Sequence, residues 1–407
     1  MDNIELTKDQ LEAKSLILDW YSDKRSKDTF VISGYAGTGK TFLLGEMRQD
    51  LYLMKAHKIA YACYTGKASV VLKKKLRLFY SSDFCYDFCG TIHGLIYEAI
   101  IDPKTQDIIG WRRKEDVNYD LIVIDEGSMI DKQIYDDLLS YGIKLLIFGD
   151  HFQLPPVSED AFNIMEKPDF IITEIVRQES DNPIIQLSMK LRQYQDIPYG
   201  QYGESIAKVN SRLHGDIIKD FIRQTVNFKN TLFLCGFNRT RCSWNKDLKK
   251  IFGFGEGLEP IVGERVICLR NNWNATPLSI ANGMLGTILS IEDLDDNYEM
   301  EVEFDDELYH YYGNIAKEPF GNPKPDLKQA NSFVSKKDFD TGKETVVKTS
   351  LDFFDFGYCL TVHKAQGSQA TRVMLIEEPC KFWEGEMWYR WLYTAITRAE
   401  KQLLIIR

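Results

Sequence analysis

The 407-residue chain is predicted to be an α/β protein: two units with parallel sheets, a small β-hairpin projecting from the first and a small β-barrel inserted into the second. Three observations predict this. Short Val- and Ile-rich runs alternate with helical text through the first half, the alternation starts again near Asp169, and between about 263 and 350 it gives way to short strands separated by turns.

In order, the buried-looking runs of the first unit are Thr29 to Ser33, followed by a helix from Lys40, then Lys58 to Cys63, Leu121 to Ile124 and Lys144 to Phe148. Runs this short and this apolar suit parallel strands covered on both faces, hence a doubly wound sheet. The text GLIYEAIIDPKTQDIIGW, ending at Trp111, places two apolar runs around Asp102-Pro103-Lys104-Thr105 and reads as a projecting hairpin at about 95–117. The second unit contains the strand Thr231 to Cys235, and its pattern stops at about Gly263. GERVICLRN, NGMLGTILSI, YEMEVEF and ETVVKTS then read as strands of a small barrel. LTV at Leu360 and LLIIR at Leu403 resume the α/β text. The expected limits are 1–168 for the first unit, 169–265 with 351–407 for the second, and 266–350 for the insertion.

Composition narrows the class. The net charge of −10 looks wrong for a nucleic-acid binder, but the window from Glu292 to Leu308 holds ten acidic residues and no Lys or Arg. The remaining residues therefore sum to zero, and distribution matters more than the total. Basic runs at Lys73, Lys74, Lys75 and Arg77 and at Arg112, Arg113 and Lys114 read equally well as a phosphate path or as solvated faces. The eight cysteines are scattered, and Cys85 with Cys89 has no second pair at metal-ligand spacing, which favours reduced packing thiols over disulfides or zinc. No apolar stretch reaches the ~20 residues that span a bilayer, and the first residues lack a basic start before an apolar run. A soluble, cytoplasmic chain without a membrane partner is expected.

GYAGTGKT at 34–41 lies between a strand, FVIS, and a helix, FLLGEM. In that setting the glycines Gly34, Gly37 and Gly39, with Thr38, let backbone amides approach phosphates. Lys40 is expected to reach the β and γ phosphates of ATP, and Thr41 to ligate Mg2+. LIVIDE ends a buried strand with two carboxylates: Asp125 is expected to hold the magnesium and Glu126 to orient or deprotonate the attacking water. GDHFQLPPV follows another strand, with Gln153 expected to sense the γ phosphate by hydrogen bonding.

These parts alone fit kinases, GTPases, transporters and motors alike. The ordered set Thr7-x-x-Gln10, GYAGTGKT, Tyr64-Thr65-Gly66-Lys67-Ala68, Thr91-Ile92-His93, VIDEGSM, GDHFQLPPV, Val176-Arg177-Gln178, LTVHKAQGSQ from Leu360 and YTAITRAEK from Tyr393 resembles superfamily 1 DNA helicases, in particular the RecD and phage Dda branch, superfamily 1B. The resemblance implies two RecA-like domains with ATP in the cleft between them. It implies that Gln10 contacts the adenine, that Gly367 lies at the nucleotide, and that Arg177 and Arg398 reach the γ phosphate, where guanidinium groups stabilise transition-state charge. It assigns Tyr64, Thr65, Lys67, Thr91, His93, Thr361 and His363 to a track for single-stranded DNA, for which hydroxyls, amides and aromatics suit sequence-independent binding. It makes the hairpin a pin that splits forked duplex DNA, with Trp111 or Ile108 and Ile109 as the wedge, and the insertion an SH3-like barrel. Movement 5′ to 3′, action as a monomer, and replication or recombination proteins as partners follow from the same resemblance, as does a host-cytoplasmic setting if the chain is phage-encoded. The other reading is a nucleic-acid-stimulated ATPase that remodels complexes without processive unwinding.

Overall fold

The computed structural model describes residues 5–79, 87–101, 108–156, 162–176, 181–225, 228–272, 275, 280, 282–305, 307, 309–327, 331–337, 344–379 and 384–407; side chains at 99, 101, 108–111 and 331–350 fall outside the description. The chain divides into two compact units, Met1–Glu98 with Arg113–Ile218 and Gln366–Arg407, and Ala99–Arg112 with Lys219–Ala365.

In chain order the first elements are helix α1 (Lys8–Ser22), strand β1 (Thr29–Gly34), α2 (Lys40–Leu53), β2 (Ile59–Cys63), α3 (Gly66–Leu76), β3 (Phe88–Thr91), α4 (Ile92–Ile96), the hairpin strands β4 (Tyr97–Ile101) and β5 (Ile108–Arg113), then β6 (Leu121–Asp125), α5 (Lys132–Leu139), β7 (Leu145–Gly149) and β8 (Phe170–Ile172). Side chains start most of these helices. Thr7 and Gln10 form a reciprocal capping box on α1, Thr65 caps α3, Thr91 caps α4 and Asp131 caps α5. The sheet order is β3-β2-β6-β7-β1-β8, with neighbouring strands parallel. All residues of β2 and β7 are buried, as expected for strands with a layer on each face. One layer packs Ala13, Ile17, Leu43, Met47 and Leu72 against the sheet; the opposite layer packs Ile92, Ile96, Ile134 and Leu138.

The unit continues with α6 (Pro183–Arg192), β9 (Gly200–Tyr202) and β10 (Ile206–Val209). Asn182 caps α6 and Pro183 takes its first turn, where a missing N–H costs nothing. The chain then runs through α7 (Gly215–Arg223), β11 (Thr231–Cys235), α8 (Asn238–Ile251), β12 (Arg265–Cys268), β13 (Leu285–Asp293), β14 (Asn297–Phe304), β15 (Tyr311–Ala316), β16 (Asn331–Lys337), β17 (Glu344–Ser350), β18 (Phe354–Phe356), β19 (Cys359–Thr361), β20 (Ala370–Ile376), α9 (Glu386–Ile396) and β21 (Ala399–Ile406). In the first unit β10, β21 and β20 pair in parallel and β9 adds an antiparallel edge.

The second unit pairs β11 with β19 in parallel and builds an antiparallel sheet β15-β14-β13-β12-β18, beside a two-stranded ribbon of β16 and β17. The acidic window falls on β13, β14 and the residues after them. Met300, Val302 and Phe304 point inward while Glu299, Glu301 and Glu303 alternate outward, the period-2 signature of a half-buried strand. The charge of these three glutamates therefore sits on the outer face of β14, where His310 and Tyr312 bond Glu301, while Asp305 of the same window is ion-paired with the buried Arg265. The hairpin is present as a two-stranded sheet of β4 and β5; the turn Asp102-Pro103-Lys104-Thr105 and the side chains of Ile108, Ile109 and Trp111 lie outside the described residues.

No helix among the described residues is long and apolar enough to cross a membrane.

Candidate nucleotide and nucleic-acid site

The phosphate loop leaves β1 and enters α2 through Gly39, whose φ of +71° puts the backbone in the left-handed region. A side chain there is strained, and a Cβ would also lie 2.5 Å from Gln10 Nε2 and 3.1 Å from Val176 Cγ1. Gln10 braces the loop: its Nε2 donates to Thr38 O at 2.9 Å, and its Oε1 accepts from Thr7 N–H at 2.8 Å. Its carboxamide is thus bonded on both sides within the unit. Val176 donates to Gly37 O at 3.0 Å, which brings the chain alongside the loop just before Arg177; Arg177 itself lies outside the described residues. Lys40 Nζ folds onto the carbonyls of Gly34 and Tyr35 at 2.5 and 3.1 Å.

Asp125 ends β6 and is half-buried. Burial first, then the neighbouring charge of Glu126, pushes its carboxyl up to about 6, with Lys40 pulling the other way. Glu126 sits at φ +59°, ψ +44°, a region that a non-glycine residue occupies at a cost and that clusters at functional sites. Gln153 is buried with its Oε1 unpartnered, and Ser128 Oγ is likewise buried and unpartnered among the described residues. Two adjoining carboxylates and orphaned polar atoms beside a phosphate loop fit a nucleotide with a divalent cation. Magnesium takes one or two carboxylates plus phosphate and water, and no cage of three or more candidate ligands exists among the described residues.

Arg398 follows α9 in the same compact unit and is 3% exposed. Among the described residues its guanidinium finds only neutral acceptors: Thr394 O at 3.0 Å, Ser368 O at 3.4 Å and Thr397 Oγ1 at 3.4 Å. A buried cation without an acid is costly, and an anion would relieve it.

The residues expected along a DNA track share one local design. Thr65 follows β2 by two residues, while Thr91 and Thr361 close β3 and β19. Each hydroxyl accepts a backbone N–H three residues on, at 3.2, 3.0 and 3.3 Å. These threonines shape the turns at the carboxyl ends of their strands, where open α/β sheets bind ligands. Tyr64 packs edge-on to His93 at 6.0 Å, and His93 lies 5.4 Å from Tyr97. Burial lowers the His93 and His363 imidazoles below their ordinary range, so both are neutral near pH 7. Lys67 takes the second position of α3. Gly367 stands beside residues expected along the track: at φ +74° a Cβ on it would sit 2.9 Å from Thr65 Oγ1 and 3.2 Å from Ala68 Cβ.

Sequence reasoning passed over the residues that tie these parts together. Tyr393, Thr394 and Gln366 bond the segments at Ala36, Asp150 and Leu154, and Arg192 stacks on the Tyr35 ring of the phosphate loop, 3.7 Å from its centroid. The available signal was that Tyr393, Thr394 and Asp150 stand inside motifs already picked out for their neighbours.

A phosphate loop on a parallel sheet with an acidic strand end defines the P-loop nucleoside-triphosphate-binding class. Two family models match, an AAA domain over residues 20–159 and a UvrD-like helicase C-terminal domain over 356–406. The chain is 26% identical over 95% of its length to the ATP-dependent RecD2 DNA helicase of Deinococcus radiodurans, of which the match spans 48%, and 23% identical over 91% to the ATP-dependent DNA helicase Pif1 of Campylobacter jejuni, spanning 87%. A further relative, an uncharacterized protein of Acanthamoeba polyphaga mimivirus, is 31% identical over 38% of the chain and 34% of its own length. The chain thus spans half or less of two of these relatives. In fold it is similar to the Bacteroides Pif1 helicase in complex with ADP-AlF3 and single-stranded DNA, with a TM-score of 0.56 at 17% identity, covering 99% of this chain and 92% of that one. The resemblance to superfamily 1B helicases of the RecD and Pif1 kind therefore holds across motif order, family models, relatives and fold.

Proposed function

We propose that the protein is an ATP-driven DNA helicase that moves 5′ to 3′ on single-stranded DNA and opens forked duplex. The observation that carries this reading is Arg398: a buried guanidinium with neutral acceptors among the described residues, in the same compact unit as Lys40, Asp125 and Glu126. That inventory supports an ATP site with a charge-stabilising arginine. RecD2 and Pif1 carry the name ATP-dependent DNA helicase, and the Bacteroides Pif1 structure was determined with single-stranded DNA, which supports DNA as the track.

In this reading Thr41 and Asp125 would hold magnesium, which when bound neutralises phosphate charge. Lys40 steadies the phosphates, Glu126 orients the attacking water, Gln153 offers its free Oε1 towards that water, and Arg177 and Arg398 stabilise the charge that develops. Gln10 contacts the adenine and Gly367 completes the nucleotide side. Tyr64, Thr65, Lys67, Thr91, His93, Thr361 and His363 line the strand. RecA-like domains at 1–168 and at 169–265 with 351–407 alternate their grip as they close on ATP, the β4–β5 hairpin with Trp111 splits the fork, and residues 266–350 form an SH3-like domain. The protein acts as a monomer.

The test is unwinding of paired 5′-tailed and 3′-tailed forks with ATP, at stated salt because phosphate binding is salt-sensitive. Opening of the 5′-tailed fork alone is expected. Exclusive opening of the 3′-tailed fork would overturn the branch and polarity, while DNA-stimulated hydrolysis without unwinding of either fork would favour a remodelling ATPase.

A further inference from the structure

Tyr393 lies in α9 with none of its surface exposed. Its hydroxyl accepts from the N–H of Ala36, the third residue of the phosphate loop, at 2.9 Å, and donates to Asp150 Oδ2 at 2.6 Å. A phenol has one proton to give, and both neighbours are of fixed character, an amide donor and a carboxylate acceptor, so the bridge can be wired in one direction only. Asp150 is 1% exposed, and its other oxygen accepts from Phe152 N–H at 3.0 Å. It has no ion-pair partner among the described residues. The Phe152 ring, itself buried, stands edge-on to Tyr393 at 5.2 Å.

The neighbouring bonds point the same way. Leu154 N–H donates to Thr394 Oγ1 at 3.0 Å, and Gln366 Nε2 donates to Leu154 O at 3.0 Å. His151 bonds Ser33 Oγ at 2.7 Å and Tyr35 Oη at 3.2 Å. Three segments far apart in sequence, the phosphate loop, residues 150–154 and the helix before Arg398, thus share one buried circuit with Tyr393 at its centre. Ala36 N–H is held by a side chain of the same segment that carries Arg398.

We propose that Tyr393, together with Asp150, is a positioning residue for ATP hydrolysis: it fixes the Tyr35–Ala36 half of the phosphate loop and passes movement of the Arg398 segment to that loop. This rests on the ATP-driven reading above. Tyr393→Phe removes only the bridging oxygen. Asp150→Asn keeps the shape but brings a second donor to a hydroxyl that already receives one, or leaves Phe152 N–H without its acceptor. Each single variant should lower DNA-stimulated kcat by about ten- to a hundredfold while leaving KM for ATP within about threefold, and should lower the ratio of DNA-stimulated to basal turnover. The double variant should be no worse than the more severe single one, because the two residues act as one unit.

Turnover within about twofold of wild type, a loss confined to KM, or single-variant losses that multiply in the double variant would each overturn the proposal. Thermal melting accompanies each assay. If Tyr393→Phe does not fold, Asp150→Asn decides alone, and failure of both to fold makes the circuit structural and the proposal wrong. Wild-type protein that hydrolyses ATP without stimulation by single-stranded DNA would instead break the functional reading. Basal turnover compared between the variants then tests Tyr393 separately: an unchanged basal rate overturns its positioning role, and a lowered one supports it.

Discussion

Arg241 and Arg398 are equally hidden, 2% and 3% exposed, yet they sit in opposite electrostatic settings. In the second unit, Arg241 on α8 is ion-paired to Asp355 of β18, whose other oxygen accepts from Gly321 and Phe356 N–H at 2.8 and 2.7 Å. Lys249 repeats the pattern nearby, bonded to Glu264 at 2.7 Å, which also accepts from Tyr358 Oη at 3.0 Å. In the first unit, Arg398 meets two carbonyls and a hydroxyl. A buried charge with its acid is a finished structural device. One without an acid is unfinished, and in the unit that carries a phosphate loop what it lacks is an anion.

The widest separation between the two arginines should appear in turnover. Arg398→Ala should reduce ATP hydrolysis about a thousandfold or more, as expected for a charge-stabilising arginine, with nucleotide affinity falling far less and the melting temperature unchanged or higher; steady-state kinetics alongside nucleotide titration would check this. Retained turnover would erase the contrast. Arg241→Ala should do the reverse, destabilising by about 3–5 kcal/mol because Asp355 is left buried and unpaired, as measured by urea unfolding. A smaller loss would mean that the Gly321 and Phe356 amides suffice for Asp355.

Glu126→Gln keeps the left-handed backbone and removes one negative charge beside Asp125. Hydrolysis should fall by more than about a hundredfold while nucleotide still binds, and near-normal rates would remove Glu126 from the site. The smallest effect concerns Lys364, the residue after His363. Burial first, with Arg241 adding to it, brings its ammonium down to about 8. Below that pH the folded protein holds a charge it disfavours, and as pH rises from about 8 towards the ordinary lysine range the native state sheds the proton before the unfolded chain does. Lys364→Met should therefore raise the melting temperature at pH 7, with the gain shrinking above pH 8; a gain independent of pH would assign it to packing alone.

Much of this molecule was legible because its signals are local. Thr231 to Cys235 is β11, with the same limits expected from its apolar run, and Leu121 to Ile124 falls short of β6 by one residue because Asp125 still pairs with Cys63 across the sheet. The motif GYAGTGKT between a strand and a helix needs only neighbouring residues to state its geometry, as does the alternation that turns Glu299, Glu301 and Glu303 outward. Residue order alone settled where glycine freedom, strand ends and charge would fall, since backbone hydrogen bonding and side-chain periodicity act over a few residues. Long-range packing chose the rest: that Gly367 would lie against Thr65, that Arg241 would find Asp355 while Arg398 met neutral acceptors, and that Ala36 would be held by Tyr393, 357 positions away. Those choices depend on which strand ends the sheet order brings together. Residue type shows that a buried tyrosine or arginine needs a partner, but not which distant segment supplies it.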